Sequence, residues 1–240
     1  MNQLIDAFNN RERGGMIKET HFFDIYDSEL NAIKNNFINI LILGVYNAGD
    51  LYMWKKYFSN CKNIIGIDID KYTKQFEDRS KNIFIEIGDQ SNVNFLKEIN
   101  NKYGKFDLII DDASHENYPT ITSLKTLFLL LNDSGIYVIE DTFCSYDKNW
   151  DSDRDKDTFG NITNMIHGDN SYSVMEYLKS LADKLHPYAY NRKYEEADEF
   201  EKKLFSIHFY DGICFLYKFP RNKDMKYGYS KYWHAKENYE

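Results

Sequence analysis

Short apolar runs alternate with longer amphipathic stretches from Phe37 to Ile139. The runs are Ile38–Leu43, Asn63–Ile67, Ile83–Ile87, Phe106–Ile110 and Gly135–Ile139. Each is nearly continuous in apolar residues and bounded by turn or acidic residues, the pattern of parallel strands covered on both faces. Helix-like stretches lie between them: Leu51–Phe58, a segment from the Gly88-Asp89 turn to about Asn101, and Tyr118–Leu131. The alternation predicts an α/β fold, a doubly wound and mainly parallel sheet with helices on both faces.

The ends of the chain depart from that rhythm. Ser173–Leu185 predicts an amphipathic helix. Leu204–Tyr210 and Ile213–Phe219 are strands joined by Asp211-Gly212, a hairpin signal that brings the sheet to seven strands. Residues 1–36 are polar and read as an N-terminal helical segment, with Asp27 as the capping residue of a helix. The main domain is expected over 37–220, with a C-terminal tail over 221–240. Asp151–Asp157 alternates like a calcium loop but lacks its glycine and terminal glutamate, and reads as a solvated loop. Glu195–Lys203 reads as a charged helix face.

In an open α/β sheet, ligands collect at the carboxyl ends of the strands. Phe106-Asp-Leu-Ile-Ile-Asp-Asp-Ala-Ser-His115 and Ile139-Glu-Asp-Thr142 both end strands in carboxylates. Asp111, Asp112, Glu140 and Asp141 are therefore expected at one edge, where like charges repel unless a cation offsets them. Oxygen donors suit magnesium or another hard divalent ion. His115 lies three residues beyond Asp112, so a helical turn would bring it alongside as a base.

A turn between the first strand and its helix, Gly44-Val-Tyr-Asn-Ala-Gly49, can admit a ligand close to the backbone. Tyr46 stands where a dinucleotide fingerprint needs its second glycine, which disfavours a nicotinamide-dependent dehydrogenase. Asp68 ends the second strand where ribose hydroxyls are usually bound. Asp89 and Gln90 end the third, a common place for adenine contacts. The plain alternative for Asp68, Asp70 and Asp89 is helix capping.

Composition narrows the partners. The 240 residues are 42% hydrophobic and 28% charged, enough for a substantial core, and carry a net charge of −8. That charge disfavours nucleic acid and anionic membrane. Cys61, Cys144 and Cys214 have no metal or disulfide spacing and read as reduced thiols. No signal peptide is visible and no run nears the roughly 20 apolar residues of a membrane span, so a cytoplasmic location is expected.

Several motifs recur in one order: Leu41-Ile-Leu-Gly-Val-Tyr-Asn-Ala-Gly-Asp-Leu51, Met53-Trp54, Gly66-Ile-Asp-Ile-Asp70, Gly88-Asp-Gln-Ser91, Ile110-Asp-Asp-Ala-Ser-His115 and Tyr137-Val-Ile-Glu-Asp-Thr142. With His21-Phe-Phe-Asp-Ile-Tyr26, this combination resembles the metal-dependent sugar O-methyltransferases of class I, the group that includes the macrolide-sugar enzymes of mycinamicin and tylosin biosynthesis. The resemblance implies a Rossmann-like class I methyltransferase fold using S-adenosylmethionine and Mg2+. It implies Asp112, Glu140 and Asp141 as metal ligands and His115 as general base. Gly44, Tyr46, Asn47, Gly49, Asp68, Asp89 and Gln90 would hold S-adenosylmethionine. The family pattern has a glutamate where Ile42 stands, glycine at Ala48 and Ala113, and a small hydroxyl residue at Asp50. Asp111 is expected to stand in for the missing glutamate toward the methionine ammonium. Tyr146 is the expected substrate contact. The expected acceptor is a small-molecule sugar, nucleotide-linked or destined for a surface polysaccharide. A natural-product sugar and a non-catalytic S-adenosylmethionine-binding protein are the alternatives, and homo-oligomerisation is left open.

Overall fold

The computed structural model describes residues 2–146, 173–185 and 197–219. The 151–157 loop and the tail from 220 onward lie outside the described residues. The sheet has seven strands: β1 Asn39–Leu43, β2 Asn63–Asp68, β3 Ile83–Ile87, β4 Leu108–Asp111, β5 Ile136–Ile139, β6 Leu204–Tyr210 and β7 Ile213–Lys218. Their order is β3-β2-β1-β4-β5-β7-β6. The first five are parallel, and β7 pairs antiparallel with both β5 and β6. The strand order reverses beside β1 and β4, so the crevice of the sheet opens at their carboxyl ends.

Alternation along each strand sends its side chains into two separate cores. Ile40 and Ile42 of β1 join Leu108 and Ile110 of β4 on one face. Leu41, Leu43 and Ile109 point to the other. The first face is covered by α1 Gln3–Asn9, α2 Phe22–Leu30 and α3 Gly49–Tyr57. The second is covered by α4 Val93–Tyr103, α5 Asn117–Leu130 and α6 Val174–Asp183. The N-terminal helices thus share a core with the sheet: Leu4, Phe22, Tyr26 and Leu30 are all fully buried.

The structure corrects two local expectations. Asp27 is not a cap but lies inside α2, which begins at Phe22 because Phe22, Phe23, Tyr26 and Leu30 form one buried stripe. Its carboxylate accepts a hydrogen bond from the Tyr57 hydroxyl at 2.9 Å. Residues 198–203 are not helical but run as turns, where Phe200 stacks on Phe128 at 4.3 Å between centroids. The hairpin and the helix α6, by contrast, lie where the pattern places them, with Ser173 capping α6.

Candidate functional site

The β1–α3 turn is built by close packing. Gly44 has φ +90°, and a Cβ there would meet the Asp112 carbonyl oxygen at 2.1 Å. The first turn and the loop after β4 therefore touch backbone to backbone. Gly49 serves a different neighbour from the one expected: its N–H donates to the Gly15 carbonyl at 3.1 Å, and a Cβ would meet that oxygen at 2.6 Å. Gly49 thus seats an N-terminal strap, residues 10–18, and does not line the cavity. Tyr46 adopts φ +48°, the conformation a glycine would take.

A cavity of about 580 Å³ opens at the carboxyl ends of β1 to β4. That is ample for a cofactor-sized molecule. Of the residues expected to hold a cofactor, Gly44, Tyr46, Asn47, Asp68, Asp89 and Gln90 line it. Of the three acids that could cap, only Asp70 does so, accepting from Tyr72 N at the start of the helical turn Lys71–Phe76, while Asn92 caps α4. Asp68 Oδ2 accepts from the Val45 and Tyr46 N–H groups at 2.8 and 3.0 Å, while Oδ1 accepts from Asp70 N. Asp89 accepts from the N–H and hydroxyl of Ser91. Gln90 ties the third strand end to the fourth, accepting from Ser114 N and donating to Asp111.

Asp111 is not at the cavity. It is 2 % exposed and points toward α5, where Ser123 Oγ at 2.6 Å and Tyr137 Oη at 3.0 Å donate to it. Burial pushes its carboxyl up to about 6 despite those donors. Ile42, fully buried, also faces a core. Neither can receive a ligand ammonium, so the expected compensation by Asp111 is corrected: strand alternation aims it at the wrong face.

The carboxylates at the β4 and β5 ends divide into two groups. Asp112, His115 and Asp141 form the outer one, with one ligand atom from each lying within 4.8 Å of the others. His115 Nε2 is 3.7 Å from Asp112 Oδ1 and 3.4 Å from Asp141 Oδ2. The expected neighbours do meet, but not through a helical turn: His115 sits in the loop before α5 with φ +55°, and Asp141 has φ +52°. Left-handed backbone at such residues is strained and clusters at functional sites.

Asp50, Asp112 and Glu140 form the inner, buried group, also within 4.8 Å. Sequence reasoning missed its occupant, the ammonium of Lys18. Lys18 Nζ lies 3.1 Å from Asp50 Oδ2, 3.0 Å from Asp112 Oδ2 and 2.5 Å from Glu140 Oε2, and its side chain is fully buried. Tyr26 Oη donates to Glu140 Oε1 at 2.5 Å. Burial pulls the lysine pKa down, but Asp112, Asp50 and Glu140 outweigh it and hold it well above its usual value. Burial also raises Glu140, and raises Asp50 to about 6. Lys18 and Glu140 are 122 residues apart, and no local pattern announces such a pair. Tyr146, the expected substrate contact, is 49 % exposed at the end of the short helical turn Thr142–Tyr146.

A parallel sheet closed by the β7–β6 pair, with an acid-lined cavity at the switch point, is the Rossmann-like fold of class I methyltransferases. Particular relatives agree with that class. The chain is 29% identical over 230 residues to demethylmacrocin O-methyltransferase of Streptomyces fradiae, covering 91% of this chain and 53% of the relative. It is 28% identical over 201 residues to 8-demethyl-8-alpha-L-rhamnosyl tetracenomycin-C 2'-O-methyltransferase of Streptomyces olivaceus, covering 80% and 49%. Mycinamicin VI 2''-O-methyltransferase of Micromonospora griseorubida matches at 36% over 128 residues, 50% of this chain and 31% of the relative. Among solved structures, MycE methyltransferase in complex with Mg, SAH and mycinamycin VI superposes with a TM-score of 0.72 at 27% identity, covering 91% of this chain and 53% of that one. No family model matches the chain. These homologues are O-methyltransferases of macrolide and polyketide sugars, and the chain spans about half the length of the curated relatives it matches. Their names give no support to a nucleotide-linked or polysaccharide acceptor. Among the described residues, no helix is long and apolar enough to cross a membrane.

Proposed function

We propose that this chain is the catalytic unit of an S-adenosylmethionine- and Mg2+-dependent O-methyltransferase that methylates a hydroxyl of a sugar carried by a natural product. The observation that carries the proposal is the meeting of His115 and Asp141 with Asp112, which lines the glycine-turn cavity. The donor set fits a hard divalent ion: Asp112 Oδ1 and Asp141 face outward, and Glu140 has used three of about four acceptor directions on Lys18 and Tyr26. The cavity fits S-adenosylmethionine in its ribose-reading Asp68 and in Asp89 and Gln90 at the next strand end. Bound there, the two groups would supply an electrophilic methyl and a cation that acidifies and aligns the acceptor hydroxyl.

The chain's own residues supply the rest. His115 takes the hydroxyl proton on an imidazole nitrogen, with Asp141 Oδ2 3.4 Å from its Nε2. Asp68 holds the turn by two amide hydrogen bonds, fixing the cavity floor. Exposed Phe143 and Tyr146 follow Asp141 directly and offer apolar faces to the acceptor. The matched relatives favour a natural-product sugar over the nucleotide-linked or polysaccharide acceptor. The test is incubation with S-adenosylmethionine, Mg2+ and demethylmacrocin or mycinamicin VI, with mass detection of one added methyl group and of S-adenosylhomocysteine. Tight S-adenosylhomocysteine binding with no methyl transfer to any glycosylated acceptor would leave a non-catalytic binding protein instead.

A further inference from the structure

β6 is the outermost strand on its side of the sheet. It pairs with β7 alone, and among the described residues the backbone from Phe205 to Tyr210 makes no hydrogen bond beyond that ladder. Half of its N–H and C=O groups therefore face outward, a template for another strand. Natural sheets guard such an edge with lysine, proline or an inward-pointing charge. From Leu204 to Tyr210 the sequence Leu-Phe-Ser-Ile-His-Phe-Tyr has no lysine, arginine, aspartate, glutamate or proline. Its one guard is a bulge between Leu204 and Ser206, at the end of the strand away from the hairpin turn. His208 is engaged by Glu29 of α2 at 3.0 Å. Two aromatic rings remain uncovered, with Phe205 60 % and Phe209 43 % exposed.

The order of these residues points to the occupant. Phe205 and Phe209 stand two positions either side of Ile207, and the polar Ser206 and His208 stand one position either side. The strand reads nearly the same in both directions, which is the self-complementarity a two-fold interface requires. Charge agrees with it. The chain carries a net charge of −8, so two copies repel overall, and a strip free of carboxylates is where that repulsion is least. We propose that β6 pairs antiparallel with β6 of a second copy about a two-fold axis at Ile207, extending the sheet across a dimer. In that register Phe205 lies beside the partner's Phe209, and Phe209 beside the partner's Phe205. No residue of β6 or β7 lines the cavity, so the dimer leaves it accessible.

The experiment is sedimentation equilibrium of the full chain over roughly 1–100 μM, the range in which a modest interface assembles. Wild type should be dimeric at the upper end. Phe205→Glu/Phe209→Glu sets carboxylate against carboxylate on both sides of the axis, and should be monomeric throughout while keeping a cooperative thermal transition. Phe205→Lys/Phe209→Glu sets opposite charges together in the same register, and should recover the dimer. A wild type that stays monomeric overturns the inference and leaves the strip to a different protein. A dimer that survives the paired glutamates overturns it by placing the interface elsewhere. Failure of the lysine–glutamate variant to recover the dimer overturns the axis at Ile207. If the paired glutamates prevent folding, Phe205→Cys/Phe209→Cys under mild oxidation should give a covalent dimer, because facing residues of an antiparallel pair lie within disulfide reach. A product that stays monomeric also overturns the inference.

Discussion

His115 and Asp111 stand four residues apart at the end of one strand, and their surroundings assign them different work. His115 stands beside Asp141 and beside Asp112, which lines the cavity. Replacing it by alanine should lower turnover by about 10²–10⁴-fold, the usual contribution of a positioned base. S-adenosylhomocysteine affinity should stay within about threefold, because the ring is not needed to line the nucleotide end of the cavity. Initial rates and calorimetry on His115→Ala decide it; near-normal turnover would remove the base assignment. Asp111 is instead a structural acid with its carboxyl held near 6, against 3.8 in its ordinary state. Between those values the folded protein binds a proton that the unfolded chain does not, so stability falls as pH rises through that window. Asp111→Asn lacks this dependence. The stability difference between the variant and wild type should therefore move in the variant's favour by up to about 3 kcal/mol from pH 4 to pH 7. Denaturant unfolding at the two pH values measures it, and an unchanged difference would refute the raised pKa.

At the scale of elements, the strap over the β1–α3 turn decides whether the inner carboxylates have a cation. Gly49 permits the contact because no Cβ separates it from Gly15 and Met16. Gly49→Ala should force the strap outward at a cost of about 1–3 kcal/mol, the usual penalty of overpacking. Amide exchange across residues 14–18 should speed up with it, while the β4–β5 ladder keeps its protection. Unchanged exchange in the strap would mean that the turn yields instead. The same turn carries Tyr46 and Ala48, both at left-handed φ. His115 and Asp141 share that conformation, so strained non-glycine backbone recurs in the loops after β1, β4 and β5.

For the whole molecule, the proposed reading puts cofactor and metal on different strand ends, the cofactor by Asp68 and Asp89 after β2 and β3 and the metal by Asp112 and Asp141 after β4 and β5. Saturating S-adenosylhomocysteine should raise the thermal midpoint, by the equivalent of about 2.7 kcal/mol at a concentration of 100 Kd. Exhaustive EDTA should abolish methyl transfer and leave most of that shift in place. Activity that survives chelation would sink the magnesium role, and loss of the shift would mean that the metal organises the cofactor pocket as well.

Much of this architecture was legible because it is local. Strand length, apolar runs and the Asp211-Gly212 turn act over a few residues, so the seven strands and their carboxylate-bearing ends could be read directly. The meeting of Asp112, Asp141 and His115 followed from topology, since β4 and β5 are neighbours in a parallel sheet. Other features depend on which way a side chain points or on what comes from far away in the chain. Alternation along β4 sends Asp111 into the α5 face and leaves Asp112, just past the strand end, to the crevice. Asp27 looked like a cap because capping is a local signal, yet a buried aromatic stripe carried the helix past it. Lys18 carries no local signal at all: its three partners lie 32, 94 and 122 residues away, and they meet only when the strap crosses the end of the sheet. By itself the sequence determined the sheet, the acids and the histidine, because periodicity and strand ends are short-range. The tertiary structure alone decided how the acids divide between an inner ammonium and an outer opening, because long-range packing sets that division.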